Sequence, residues 1–381
     1  MASPQVQAVK SAPQVSALAP ARAASILHPV VDFLCAGGLS ILVIVPLLLA
    51  GREDLSFLSV GIIVWAQYLL NYSHFMASYR IIYRDRETMF AHKWAAFGIP
   101  ALLIGYSIIA FGLAQNGQLQ MMGILVGIGS GYLAWHYTGQ AWGMVASYSY
   151  LAGIRFEKVE RLLVRGSLRV LLVWHVVWFA RTWLGQTRLA EPFWLLPLYQ
   201  AASVAGGLAL LVGAAGLGRI WFRTGRLPPA RALVAWFATF VWYAAVARWG
   251  LPALLLLVQP AHALQYIEFP VRVELNRATA RGATRVARHM TTYLAILMLV
   301  SFVVILLVPG PAMSVVAGLL GLEPQRVAPV LLLTFINIHH YFTDGVAWKL
   351  SNPAVRKELF AHVVQSGLPG SQQSPPTKKR R

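Results

Sequence analysis

Residues 31–50 read VDFLCAGGLSILVIVPLLLA, twenty positions whose single charge, Asp32, stands at the start. A helix rises about 1.5 Å per residue and needs about 20 apolar residues to cross a hydrocarbon core about 30 Å thick. The stretch therefore has the length and character of one membrane crossing. Working outward from it, nine more stretches read the same way: 57–79, 94–114, 119–139, 168–187, 193–216, 231–248, 251–270, 290–308 and 328–348. The region 231–270 divides at Arg248-Trp249-Gly250-Leu251-Pro252, because Gly and Pro punctuate the apolar run. Ala312–Leu322, after Pro309-Gly310-Pro311, is too short to span and reads as an interfacial helix.

Composition agrees. Of 381 residues 57% are hydrophobic and only 12% charged, with mean hydropathy +0.60. A soluble domain carries about 25% charged residues, so lipid is the solvent for most of this chain. The net charge of +19 would suggest nucleic acid in a soluble protein. Here the basic residues sort by loop instead. With the N-terminus inside, 27 of the 32 Lys and Arg fall in the tails and in the loops after spans two, four, six and eight. Only Arg52, Arg181, Arg188, Arg248 and Arg326 fall on the other side. Such asymmetry places the basic loops and both termini in the cytoplasm. The expected fold is an all-α polytopic transmembrane bundle of about ten spans, in the cell inner (plasma) membrane, with the bilayer and no nucleic acid as partner.

The expected organisation is a disordered tail over 1–24, one transmembrane domain over 25–350, and a cytoplasmic tail over 351–381 with a disordered basic end. The lone Cys35 rules out an intrachain disulfide or a CxxC pair. Neither a P-loop nor a dinucleotide fingerprint is visible, and the loops are too short for a soluble catalytic lobe. Any chemistry must lie in or at the edge of the bundle.

Ten histidines occur, and six of them, His74, His136, His175, His262, His339 and His340, fall inside spans. Ionisable residues there are costly and face the bundle interior. All six lie in the cytoplasmic half: His74 is six residues before Arg80, and His175 six after Arg169, roughly 9 Å in each case. Most have polar companions one or two turns away on the same helix face. Asn71 and Ser78 flank His74, Gln140 follows His136, Gln265 and Tyr266 follow His262, and Asp344 follows His340. His175 has only Trp174 and Trp178 beside it.

His74, His136, His262, His339 and His340 are thus the candidate ligands of one metal. Asn71, Gln140, Gln265 and Asp344 are candidate partners that fix ring tautomers, and Asp344 is also a candidate catalytic group. Glu268 is a candidate ligand or proton carrier. Carboxylates inside spans are few, and a histidine-dominated set suits iron, copper or zinc over magnesium or calcium. Iron is the expected metal, non-haem or as haem held by two of the imidazoles.

The pair His339-His340, with other histidines on separate helices near one membrane face, resembles the histidine-box membrane di-iron oxygenases and desaturases in its chemistry. Those families carry HxxxH and HxxHH boxes, whereas this chain has a bare HH and single histidines. The segments Asn71–Phe75, Trp135–Tyr137, His262–Tyr266 and Asn337–Gly345 resemble patterns in a group of bacterial polytopic membrane proteins with no assigned reaction. That resemblance implies one common site and supplies no reaction.

The expectation that follows is a metal- or haem-dependent membrane oxidoreductase. It would act on an apolar or lipid-like substrate entering from the bilayer, with electrons from a separate reductase. The competing expectation is a transporter in which the same His, Gln, Glu and Asp line a path for protons, a metal ion or a small solute. A third is a scaffold whose histidines only join helices.

Overall fold

A computed structural model describes residues 25–58, 60–187, 190–305, 327–350 and 352–365. The tail 1–24, the interfacial segment 312–322, Arg188, Arg326 and the basic end 378–381 lie outside the described residues.

The described chain is helical, with no strand. Its long helices are α1 (Pro29–Leu49), α2 (60–82), α3 (Trp94–Gln115), α4 (Gln120–Leu151), α5 (Lys158–Thr187), α6 (Leu195–Thr224), α7 (Ala230–Trp249), α8 (251–280), α9 (Val286–Ile305) and α10 (Val327–Ala347). Six of them, α1, α3, α5, α6, α7 and α9, are long and apolar enough to cross a membrane. The other four, α2, α4, α8 and α10, are the four that carry His74, His136, His262 and His340. Their polar residues lower the very hydropathy by which a span is recognised, because those residues turn inward.

Several boundaries run past the sequence reading. The fourth span was expected to end at residue 139, yet α4 continues to Leu151. The fifth was expected to begin at 168, yet α5 begins at Lys158. At 32 and 30 residues these helices are about 45–48 Å long, well beyond the hydrocarbon core. Hydropathy marks the lipid-facing length of a helix, not its hydrogen-bonded length. Between α7 and α8 the break falls at Gly250, whose φ of 65° suits a residue without a side chain, and Leu251-Pro252 then starts α8.

At the centre stands α7, with 67% of its apolar window buried against 17% for lipid-facing α3. Its indoles are hydrogen-bonded rather than merely packed. Trp242 donates to Ser40 Oγ at 2.8 Å and Trp236 to Ser167 Oγ at 3.0 Å. Without a hydrophobic force between helices in lipid, close approach depends on small residues. At Gly213 of α6 a Cβ would come within 2.5 Å of the Trp236 ring and 2.6 Å of Ser167 Oγ.

Wide π-type turns interrupt α1 at Leu34–Gly38, α2 at Gln67–Tyr72 and α8 at Leu254–Val258, and one opens α3 at Trp94–Gly98. Pro100 and Pro260 follow two of them and account for the widening, since proline removes a backbone donor and crowds the carbonyl four residues back. Such turns concentrate at functional sites. Those in α2 and α8 end just before His74 and His262. Past α10, short helices Pro353–Leu359 and Ala361–Gln365 return along α8, where Asn276 Nδ2 donates to the carbonyls of Glu358 (2.9 Å) and Leu359 (3.2 Å).

Candidate metal centre

α2, α4, α8 and α10 each bring one imidazole to a common point. His74, His136, His262 and His340 are buried, and one ligand atom from each lies within 4.8 Å of all the others. His74 Nε2 stands 3.1 Å from His340 Nε2, and His136 Nε2 stands 3.0 Å from His262 Nε2. Imidazole nitrogens bind a transition metal at about 2.1 Å, so two ligands of one ion stand about 3.0 Å apart at a right angle and about 3.4 Å apart tetrahedrally. The two close pairs already have that spacing.

Asp344 completes the group from one turn below His340. Its Oδ2 lies 3.3 Å from His340 Nε2 and 3.5 Å from His136 Nε2, yet takes part in no hydrogen bond. Its Oδ1 accepts from Ser78 Oγ at 2.6 Å. Ser78 Oγ also lies 3.2 Å from the His74 carbonyl, and one assignment of the protons among its partners satisfies the donor inventory. The indole of Trp348 can only donate, and it gives its proton to Tyr266 OH at 2.7 Å. Tyr266 passes its own proton to Ser78 Oγ at 2.6 Å, and Ser78 gives its proton to Asp344. The remaining Ser78 lone pair accepts Nδ1–H of His340 at 3.0 Å. His340 Nε2 is then left as a bare lone pair aimed at the common point. With Asp344 ionised, it faces Asp344 Oδ2, a second electron-pair donor, at 3.3 Å. Two such donors in contact are what a cation resolves, and an Nδ1–H held by a neighbour is the usual orientation device for a ligating histidine.

Aromatic rings close the walls. Phe75 lies 4.4 Å from the His340 ring, Tyr137 4.4 Å from His262 and Tyr266 5.1 Å from His74, and Tyr341 stacks on His136 at 4.7 Å. Neither His74 Nδ1 nor His262 Nδ1 completes a hydrogen bond.

The other sequence candidates lie around this point, not in it. His339 turns away: its Nε2 donates to Ala95 O at 2.9 Å and its ring stacks on Tyr79. Adjacent helical residues point about 100° apart, so only one of the HH pair can face the group. Gln140 reaches the His262 backbone carbonyl (3.0 Å) and Gln265 Oε1 (3.3 Å), while Gln265 Nε2 donates to Ala36 O at 2.6 Å. Both amides tie helices together, and neither hydrogen-bonds an imidazole. Asn71 donates to Gln67 (2.8 Å) and Gln259 (3.4 Å). Glu268 belongs to a separate buried group, hydrogen-bonded to Tyr148 and Cys35, with Tyr148 under Arg231. His175 pairs with Ser130 at 3.3 Å.

Sequence reasoning placed Ser78 on the His74 face but did not give it a role. Nor did it single out Phe75 or Trp348. Trp348 is one turn beyond Asp344, a spacing that could have pointed to it. Comparison with family models, with curated proteins and with solved structures gives no match for this chain.

Proposed function

We propose that this chain is a membrane-embedded oxidoreductase built around one transition-metal ion, non-haem iron in our assignment, held by His74, His136, His262 and His340 with Asp344. Ten spans and cytoplasmic termini in the inner membrane complete the reading. One observation carries it: four buried imidazoles from four helices converge within 4.8 Å on a point also faced by an unbonded carboxylate oxygen. A set of imidazoles and one carboxylate, without thiolate, suits iron or copper. Five protein donors leave a six-coordinate metal one position for a small reactant. Porphyrin nitrogens would need the places these imidazoles take, which favours a bare ion over haem. A single point of convergence favours one ion over the two of the di-iron enzymes.

The substrate is apolar or lipid-like and arrives from the bilayer. The residues' part is to hold the ion, to keep His340 in one tautomer through Ser78, and to exclude water with the rings of Phe75, Tyr137, Tyr266 and Tyr341. Electrons come from a separate reductase.

Elemental analysis and absorption spectroscopy on detergent-purified protein test this. The expected result is about one transition-metal ion per chain and no Soret band. The metal should be lost in His74→Ala and His340→Ala and kept in His339→Ala. Metal-free wild type after gentle preparation, with proton or solute flux in proteoliposomes, overturns the oxidoreductase in favour of a transporter.

A further inference from the structure

Seven arginines among the described residues hold a carboxylate within ion-pair reach. Arg223 holds Glu160 at 2.7 Å, Arg231 holds Asp32 at 3.3 Å and Arg181 holds Glu191 at 2.6 Å. Arg161, Arg165 and Arg169 on α5 are different. They follow one another at four-residue intervals and so lie along one side of the helix, drifting about 40° per step. Among the described residues none of them has a carboxylate within ion-pair reach. The nearest acid in sequence, Glu160, is buried beneath Arg223. The three guanidinium groups instead act on one another: Arg161 and Arg169 are both close enough to repel Arg165. Arg161 and Arg169 are exposed and Arg165 is half-buried. Arg169 lies over the ring of Trp135, 5.5 Å from its centroid.

Along the adjoining side of α5 runs an apolar groove shared with α6. Leu162, Gly166 and Val170 line it from α5, and Ala205, Leu208 and Val212 from α6. It covers the same stretch of helix as the arginines, and Leu162, Leu208 and Val212 are exposed in it. A band of unneutralised positive charge beside an acyl-sized trough, at the basic end of a membrane-crossing helix, matches a phospholipid in both parts. The phosphate meets the guanidinium groups, for which Arg offers paired donors, and a chain lies in the groove. Basic pockets between helices at the headgroup level are the usual form of such sites.

We propose that Arg161, Arg165 and Arg169, with the α5–α6 groove, form a binding site for one anionic phospholipid. The site stands apart from the metal and does not depend on the metal assignment. It requires only that this end of α5 lies at a headgroup layer.

The test is thermal unfolding of the detergent-purified full chain on titration with phosphatidylglycerol, with phosphatidylcholine or with inorganic phosphate. The expected result is saturable stabilisation by phosphatidylglycerol alone. The apparent affinity should fall tenfold or more in the triple variant Arg161→Gln, Arg165→Gln, Arg169→Gln. It should be unchanged in the charge-matched control Arg281→Gln, Arg285→Gln, Arg288→Gln. Gly166→Trp fills the groove without touching the charges, since a Cβ there meets nothing within 4 Å. It should also lose affinity, and it keeps the proposal testable if the triple variant does not fold. Equal losses in the control triple would show a general surface potential and overturn the site. So would equal protection by phosphatidylcholine, the full effect from inorganic phosphate, or an unaffected Gly166→Trp.

Discussion

Ser78 gathers Tyr266, His340 and Asp344 on one oxygen. Removing that hydroxyl leaves the His340 Nδ1 proton and the Asp344 Oδ1 without their partner, while every ligand atom stays in place. Ser78→Ala is therefore expected to weaken metal binding about 10- to 100-fold, the range found when an outer partner of a ligating histidine is lost. Ser78→Thr, which keeps the hydroxyl, should retain most of the affinity. Competition with a chelator of known affinity measures both. An Ser78→Ala protein with wild-type affinity would show that the tautomer of His340 is set elsewhere. At this scale the sequence was informative about depth and poor about direction. The common depth of the intramembrane histidines pointed to one site, and four of them meet there. His175 shares the depth yet bonds to Ser130, and His339 shares the helix yet faces α3. Which side chains converge depends on the rotation of each helix, and helix neighbours are not written in the order of the chain.

Among elements, the short helix Arg86–Ala91 between α2 and α3 shows how a loop is fixed outside the membrane. Asp85 is its N-cap, accepting Thr88 N–H at 2.7 Å and Arg84 Nε at 2.7 Å. The Arg84 guanidinium, and next the Thr88 amide, hold its carboxyl at about 2, down from 3.8. The folded-state value is depressed, so the contribution is complete above about pH 4 and fades as pH falls through about 2. Asp85→Ala should fray residues 86–91 at neutral pH. The wild type should approach that state only in strong acid, read from the Thr88 amide resonance. Loss of the cap signal near pH 6 would refute this assignment. The elements themselves were largely legible, because each expected span has a long helix at its place. Their lengths were not, because the extra turns of α4 bury Tyr148 against Glu268 with polar residues that no hydropathy window includes.

For the whole molecule, the polar lining and the lipid-facing wall divide between helices. Four helices give up apolarity to build the histidine site; of the six more apolar ones, α7 is packed inside the bundle and α3 is the least buried. Reporter proteins fused separately to the N-terminus and to the C-terminus test the proposed topology. Both should be active only as cytoplasmic fusions, and opposite sides for the two ends would overturn it. One contact bears on that outcome more directly than any hydropathy. His362 Nε2 donates to the Ser25 carbonyl at 3.0 Å, so the first and nearly the last described residues touch. A chain that leaves one face of a bilayer and returns to the same face has crossed it an even number of times. If the Ser25–His362 contact lies at one face of a bilayer, parity predicts an even number of passages between them, and the two fusions test that expectation.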